Sequence, residues 1–258
     1  MLTKDRRHPP GSRARLAQIS HHFLSESSVA PEPEYRPSFM PVLLDDVSQV
    51  WIVHSIAKAL TTRQRPSIVV YVEREMQQAA RDSLAHIDRR GLVVPLTRDS
   101  DWNDQEAAQL RLLKAMSTHS SQHRFCLIPV SDLQTPVLEI FNRMLMPVKP
   151  SLDALRSAYI RIKRLSRHDA PTIGVTIVDC EREEDARIYF EKLAVAGLRF
   201  LGQRLLYCGY LRVHKQPDEG SETVVHGIEG IAPELRNVTN HILNNQLYVP
   251  LTTPGDRS

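Results

Sequence analysis

Between Gly11 and Gly91 the chain has no glycine at all. A phosphate-binding loop wraps backbone N–H groups around an anion, and only glycine combines the required φ angles with the close approach. The turn that would have to serve reads Leu44-Asp45-Asp46-Val47-Ser48-Gln49, with two carboxylates and no lysine. The residues for ordinary phosphate chemistry are therefore missing from it. Cysteine is scarce as well. Cys126, Cys180 and Cys208 sit in apolar runs at wide spacing with no CxxC, which excludes a disulfide framework or a zinc-ligand pattern and predicts buried free thiols in a reducing cytoplasm. No apolar run approaches the ~20 residues of a membrane span, and no apolar stretch follows the basic N-terminus as a secretory signal would require. A cytoplasmic chain is expected, without a transmembrane segment and with at most peripheral membrane association. GxSxG is absent, and no cysteine has an activating histidine beside it, so no hydrolase nucleophile is assigned.

What is present is an ordinary globular composition: 258 residues, 41% hydrophobic and 24% charged, with a formal net charge of +3. That length suffices for one large domain with a real core, and the charge is too small to imply nucleic acid by itself. It is unevenly spread, since Lys4, Arg6, Arg7, Arg13 and Arg15 face only Asp5 before Ser20. Residues 1–38 read as a flexible basic tail, ending in the Pro-rich linker "SSVAPEPEYRPS". Within it, about residues 12–26, "SRARLAQISHHFLSES" sets Leu16, Ile19, Phe23 and Leu24 at helical spacing behind a candidate Ser12 cap. A short amphipathic helix on a long linker cannot bury its stripe alone. It either folds back or docks a protein partner, with Arg13, Leu16, Ile19, Phe23 and Leu24 as the contact residues.

From residue 39 to about 250, strands and helices alternate. Apolar runs at Phe39–Leu44, Ile68–Val72, "GLVVPL", "RFCLIPV", "FNRMLMPV", "APTIGVTIVD" and "RLLYCGYLRV" are separated by helical patterns. The helices are expected at "VWIVHSIAKAL", about 75–90, about 103–117, from Ser151, over Glu183–Leu201 and over Pro233–Asn244. Continuous apolar strands joined by helical crossovers predict an α/β fold, a mostly parallel sheet with helices on both faces. Residues 251–258 read as a disordered end.

The segments "MPVKPSLDALRSAYIRIKRLS" and "TIGVTIVDCEREEDARIYFEKLAVAGLRFLGQRLLYCGYLRVHKQ" resemble the MinD/ParA-type (SIMIBI) P-loop ATPases, and among them the FlhG-type flagellar-number regulators. The resemblance covers about Phe39 to Lys215 in element order and is specific from about Met146 to Leu211. It implies a P-loop NTPase-like, MinD-like fold, and it also implies where nucleotide-handling residues should stand. The lysine-bearing glycine loop falls at Asp45, Asp46 and Ser48, where carboxylates repel phosphate, and Lys58 lies too far down the following helix to substitute. The acidic positions after the second strand fall loosely on Glu73 and Glu75, which equally read as a charged strand end facing water. The metal-associated aspartate falls near Pro129 or Ser131, with Asp132 displaced, and proline cannot coordinate Mg²⁺. The adenine-reading asparagine is matched by Asp179, which lacks the amide donor.

The expectation is a member of that family with its Walker A loop lost: a non-catalytic pseudo-ATPase with no catalytic residues, no cofactor and no metal site. It would act as a protein-binding scaffold or regulator in a bacterial surface-assembly or polar-positioning system, such as flagella or polysaccharide secretion. Two alternatives stay open: an ATP-binding regulator with an unorthodox site, and a nucleic-acid-binding regulator using the basic arm. His119 and His123 at i, i+4 are a weak metal pair in a Ser-rich stretch. Trp51 and Trp102 are read as packing or interface anchors. The last helix carries mostly Asn and Gln on its polar face, which favours core packing over anionic lipid. Oligomeric state is left unassigned.

Overall fold

The computed structural model describes residues 38–61, 67–83, 91–93, 125–133, 135, 137–138, 141–166, 170–215, 222–223 and 232–250. The strands are β1 (Ser38–Leu43), β2 (Ile68–Tyr71), β3 (Gly91–Val93), β4 (Phe125–Val130), β5 (Arg143–Val148), β6 (Thr172–Val178), β7 (Leu205–Leu211), β8 (His214–Lys215), β9 (Glu222–Thr223) and β10 (Val249–Pro250). The α-helices are α1 (Val50–Leu60), α2 (Arg74–Ser83), α3 (Leu152–Leu165), α4 (Glu183–Leu201) and α5 (Pro233–Asn244), and a 3-10 turn covers Val47–Gln49. The expected helix at about 103–117, His119, His123, Trp102 and the tail residues Arg13, Leu16, Ile19, Phe23 and Leu24 lie outside the described residues.

An eight-stranded sheet carries β3-β2-β4-β1-β5-β6-β7 in that order, with β10 pairing β1. Every neighbouring pair on that path is parallel. The last strand is the exception: β10 runs antiparallel to the start of β1, Phe39 opposite Val249. Such a sheet must be covered on both faces, and its strands are apolar throughout for that reason. Successive side chains alternate between two cores. Phe39 and Leu43 join the core under α3 and α4, with Leu155, Ile162, Ala186 and Leu193. Met40, Val42 and Leu44 join the core under α1, α2 and α5, with Ile52, Ile56, Met76, Val238 and Ile242. The expected α/β architecture, a mostly parallel sheet with helices on both faces, is what the chain forms.

Local signals place the elements that matter for the site. Ser151 caps α3, its hydroxyl accepting from the Ala154 N–H at 3.2 Å. Glu183, Glu184 and Asp185 occupy the first turn of α4, where carboxylates complement the helix dipole. Gly202, at φ 65°, ends α4 in the left-handed conformation that favours glycine. In β7, Gly209 takes φ 89° where the register against β6 shifts, a bulge in an otherwise regular ladder.

Candidate functional site

In open parallel sheets, ligands are held outside the carboxyl ends of the strands, where the crossovers leave in opposite directions. That point lies between β1 and β5 here. The chain leaves β1 to form α1 under one face and leaves β5 to form α3 under the other. A cavity of about 530 Å³ opens there, lined by Asp45, Ser131, Asp132, Asp153, Arg156, Ser157, Ile160, Arg161 and Arg164.

The turn after β1 satisfies its own backbone. The Asp45 N–H donates to Gln49 Oε1 at 3.1 Å and the Ser48 N–H to Asp46 Oδ1 at 2.7 Å. The Gln49 N–H meets the Asp46 carbonyl at 3.0 Å. Side chains thus consume donors that a phosphate loop would leave free. Hydrogen bonds from the Ser48 hydroxyl and N–H hold Asp46 below its usual carboxylate pKa, helped by the Lys149 charge. Asp46 therefore caps the 3-10 turn.

Asp45 points the other way, onto α3. The Ser157 hydroxyl donates to Asp45 Oδ1 at 2.7 Å, and Arg161 Nη1 lies 3.6 Å from the same oxygen. Residues i and i+4 share a helix face, so α3 offers Asp45 a hydroxyl and a guanidinium together. Arg161 is only 8% exposed, and its Nη2 donates to the Ser131 carbonyl at 3.0 Å, just past the end of β4. Burial pulls its pKa down, while the charges of Asp45 and Glu73 push it up. Glu73, past the end of β2, accepts from the Ser131 N–H at 3.0 Å, the Ser131 hydroxyl at 2.7 Å and the Asp132 N–H at 3.3 Å. One connected network, Asp45–Arg161–Ser131–Glu73, thereby ties β1, β2 and β4 to α3.

The resemblance-derived positions divide accordingly. Asp45 and Glu73 belong to the network, and Glu73 is a clasp on the end of β4 rather than a charge left in water. Glu75 is exposed in the first turn of α2, apart from it. Lys58 is exposed in the last turn of α1. Asp179 stands at φ 70° with its N–H on the Leu211 carbonyl at 2.8 Å; aspartate tolerates this left-handed conformation better than most residues. It lines a separate cavity of about 370 Å³ with Pro150, Cys180, Asp185, Ile188 and Tyr189. The sequence reading missed Arg161, Ser157 and Ser131. The readable signal was an arginine inside the apolar stripe of α3, between Ala158 and Ile162. Among the described residues, no group of three His, Cys, Asp or Glu side chains is placed to hold a metal ion, and no helix is long and apolar enough to cross a membrane.

No family model matches the chain, and no curated protein does. Solved structures do. A chain of the MinC:MinD cell division protein complex of Aquifex aeolicus is 13% identical, with 83% of this chain and 98% of that one covered at a TM-score of 0.53. MinD from the same organism is 13% identical over 83% of this chain and 100% of its own, at a TM-score of 0.52. A ParA family ATPase from Chlorobium tepidum is 13% identical over 80% of this chain and 99% of its own, at 0.49. The fold is similar to that of MinD, and at this identity the likeness concerns the fold alone.

Proposed function

We propose that this chain is a MinD-like pseudo-ATPase, kept as a protein-binding scaffold or regulator rather than as an enzyme. The observation that carries the reading is the Asp45–Arg161–Ser131–Glu73 network at the switch point. Phosphoryl transfer on this kind of fold needs charge neutralisation, a positioned Mg²⁺ and a lysine on the transferring group. The β1 turn supplies carboxylates, and its Asp45 and Ser48 N–H groups are already taken by Gln49 and Asp46. Calorimetry with Mg-ATP and Mg-ADP is expected to give no binding heat up to about 1 mM, a limit equivalent to about 4 kcal/mol. Saturable binding at micromolar nucleotide would overturn the reading.

A partner would be engaged through the segment at about 12–26. Leu16→Asp with Phe23→Asp is expected to abolish capture of that partner in a pull-down. Undiminished capture removes the segment from the proposal. The setting proposed is a bacterial surface-assembly or polar-positioning system, flagellar or polysaccharide-secreting, with FlhG-type regulators as the relatives in pattern. One observation favours a second reading, an ATP-binding regulator with an unorthodox site: Arg156 and Arg164 line the cavity beside Arg161. The same titration decides between them.

A further inference from the structure

The long helix α4 buries Ala186, Leu193 and Gly197 against the sheet and leaves a second apolar stripe in the open. Ile188, Val195 and Leu198 are 50%, 62% and 54% exposed. At roughly 100° per residue, Glu184, Ile188, Glu191, Lys192, Val195 and Arg199 fall within one arc of about 100°, opposite the buried side. Within the same segment Arg182 pairs with Asp185 at 2.9 Å and Arg187 with Glu183 at 2.7 Å, while Lys192 lies over the Tyr189 ring and Arg199 over the Phe200 ring. Along the stripe the order is acid, apolar, acid and base, apolar, base. That order is self-complementary about a point between Glu191 and Lys192.

We propose that this face of α4 pairs two copies of the chain, the helices antiparallel about a two-fold axis at that point. Each Ile188 then meets Val195 of the second copy, and each Glu184 meets the second copy's Arg199, both contacts occurring twice. Glu191 and Lys192 of the two copies gather at the axis with balanced charge. A parallel pairing would set glutamate on glutamate and arginine on arginine, so the charge pattern selects the antiparallel one. The helix dipoles also oppose favourably in that arrangement. Nucleotide takes no part, so the inference stands whether or not the switch-point cavity binds ATP. One helix pair about 28 Å long lies at the small end of specific interfaces, near about 1,200 Å², and implies a Kd on the order of micromolar.

Sedimentation equilibrium of the full chain up to about 300 µM covers that range and is expected to show a monomer–dimer equilibrium. Ile188→Asp with Val195→Asp is expected to leave a monomer whose circular dichroism and melting match the parent. Glu184→Arg or Arg199→Glu alone sets like charges together and is expected to weaken pairing at least about tenfold. The two together are expected to restore it, which mere surface damage would not do. Under mild oxidation, a mixture of Ile188→Cys and Val195→Cys proteins is expected to form the mixed disulfide, with neither doing so alone. A chain that stays monomeric throughout, or pairs only with a different protein, overturns the proposal. So does a dimer that survives the aspartates, or a double charge swap that fails to rescue.

Discussion

Replacing Arg161 by methionine tests the network at its centre, because the change removes the charge and keeps most of the packed stem. Arg161 is 8% exposed, with Nη1 3.6 Å from Asp45 Oδ1 and Nη2 3.0 Å from the Ser131 carbonyl. At an effective dielectric of about 20, a unit pair at that separation attracts by about 5 kcal/mol. Desolvation of the guanidinium cancels much of this, as the downward pull of burial on its pKa indicates. Removing one member of a fully buried pair destabilises by about 3–5 kcal/mol. The Asp45 side chain is 47% exposed, so it regains water when the arginine leaves and keeps its bond from Ser157. The Ser131 carbonyl loses a donor. The net expectation is a loss of about 2 kcal/mol, between a surface pair and a buried one. In urea the midpoint should fall with m unchanged, and Tm should drop by about 4–8 °C. Adding Asp45→Asn removes the stranded carboxylate, so the double variant should recover about 1 kcal/mol relative to additivity. Arg161→Lys keeps the charge without the planar fork and should lose an intermediate amount. An Arg161→Met chain within about 0.5 kcal/mol of the parent, or strict additivity with Asp45→Asn, refutes the reasoning.

Three further outcomes follow from other sites. His54 on α1 hydrogen-bonds the Tyr71 hydroxyl, and burial lowers its pKa to about 4. The unfolded chain binds this proton near pH 6.5 and the native chain only near 4, so stability is full above about 6.5 and falls as pH drops through that window, by about 3 kcal/mol in all. His54→Gln should flatten that part of a urea-midpoint profile, and a profile identical to the parent's contradicts the assignment. A Cβ at Gly174 would lie 2.2 Å from Leu247 Cδ1 and 2.7 Å from Cys208 Sγ, so Gly174→Ala should destabilise by about 1–3 kcal/mol in thermal unfolding. Cys126, Cys180 and Cys208 are buried and unpaired, with burial pushing Cys126 and Cys208 up to about 12. A thiol reagent should therefore leave Cys126 and Cys208 unreacted in the native chain and titrate both in guanidinium.

The sheet was legible because parallel strands buried on both faces read as unbroken apolar runs. Even Pro41, Pro129 and Pro147, each removing a ladder donor from an interior strand, did not hide β1, β4 or β5. Helix ends were legible where chemistry marks them: Ser151 before α3, the acidic turn opening α4, Pro233 opening α5. β10 was not, since two residues folding antiparallel onto β1 leave no periodic trace. At the site, carboxylates were visible but their partners were not. Asp45 and Ser157 are 112 residues apart in sequence and Glu73 and Ser131 are 58 apart, so only the fold brings them together. Arg161 carried the one local sign, a charge on an apolar stripe, which by itself is equally a side chain reaching past the core to water.

The glycine-free turn after β1 and the buried Arg161 answer one physical requirement. A glycine loop leaves N–H groups exposed at a helix N-terminus, a concentration of positive potential that an anion completes. The turn after β1 carries no glycine, so the potential at the end of β1 is met from within the chain. Asp46 meets it locally, by accepting from Ser48, and Gln49 takes the Asp45 N–H. Asp45 is then a carboxylate at a strand end, and Ser157 and Arg161 answer it from α3. Arg161 in turn needs an acceptor on its far side, which the Ser131 carbonyl provides while Glu73 holds Ser131 in place. Each of these residues depends on the next, so changing one alone should not create a phosphate site. Asp45→Gly would leave Arg161 buried with one partner fewer. Nucleotide binding would require the turn and the α3 face to change together.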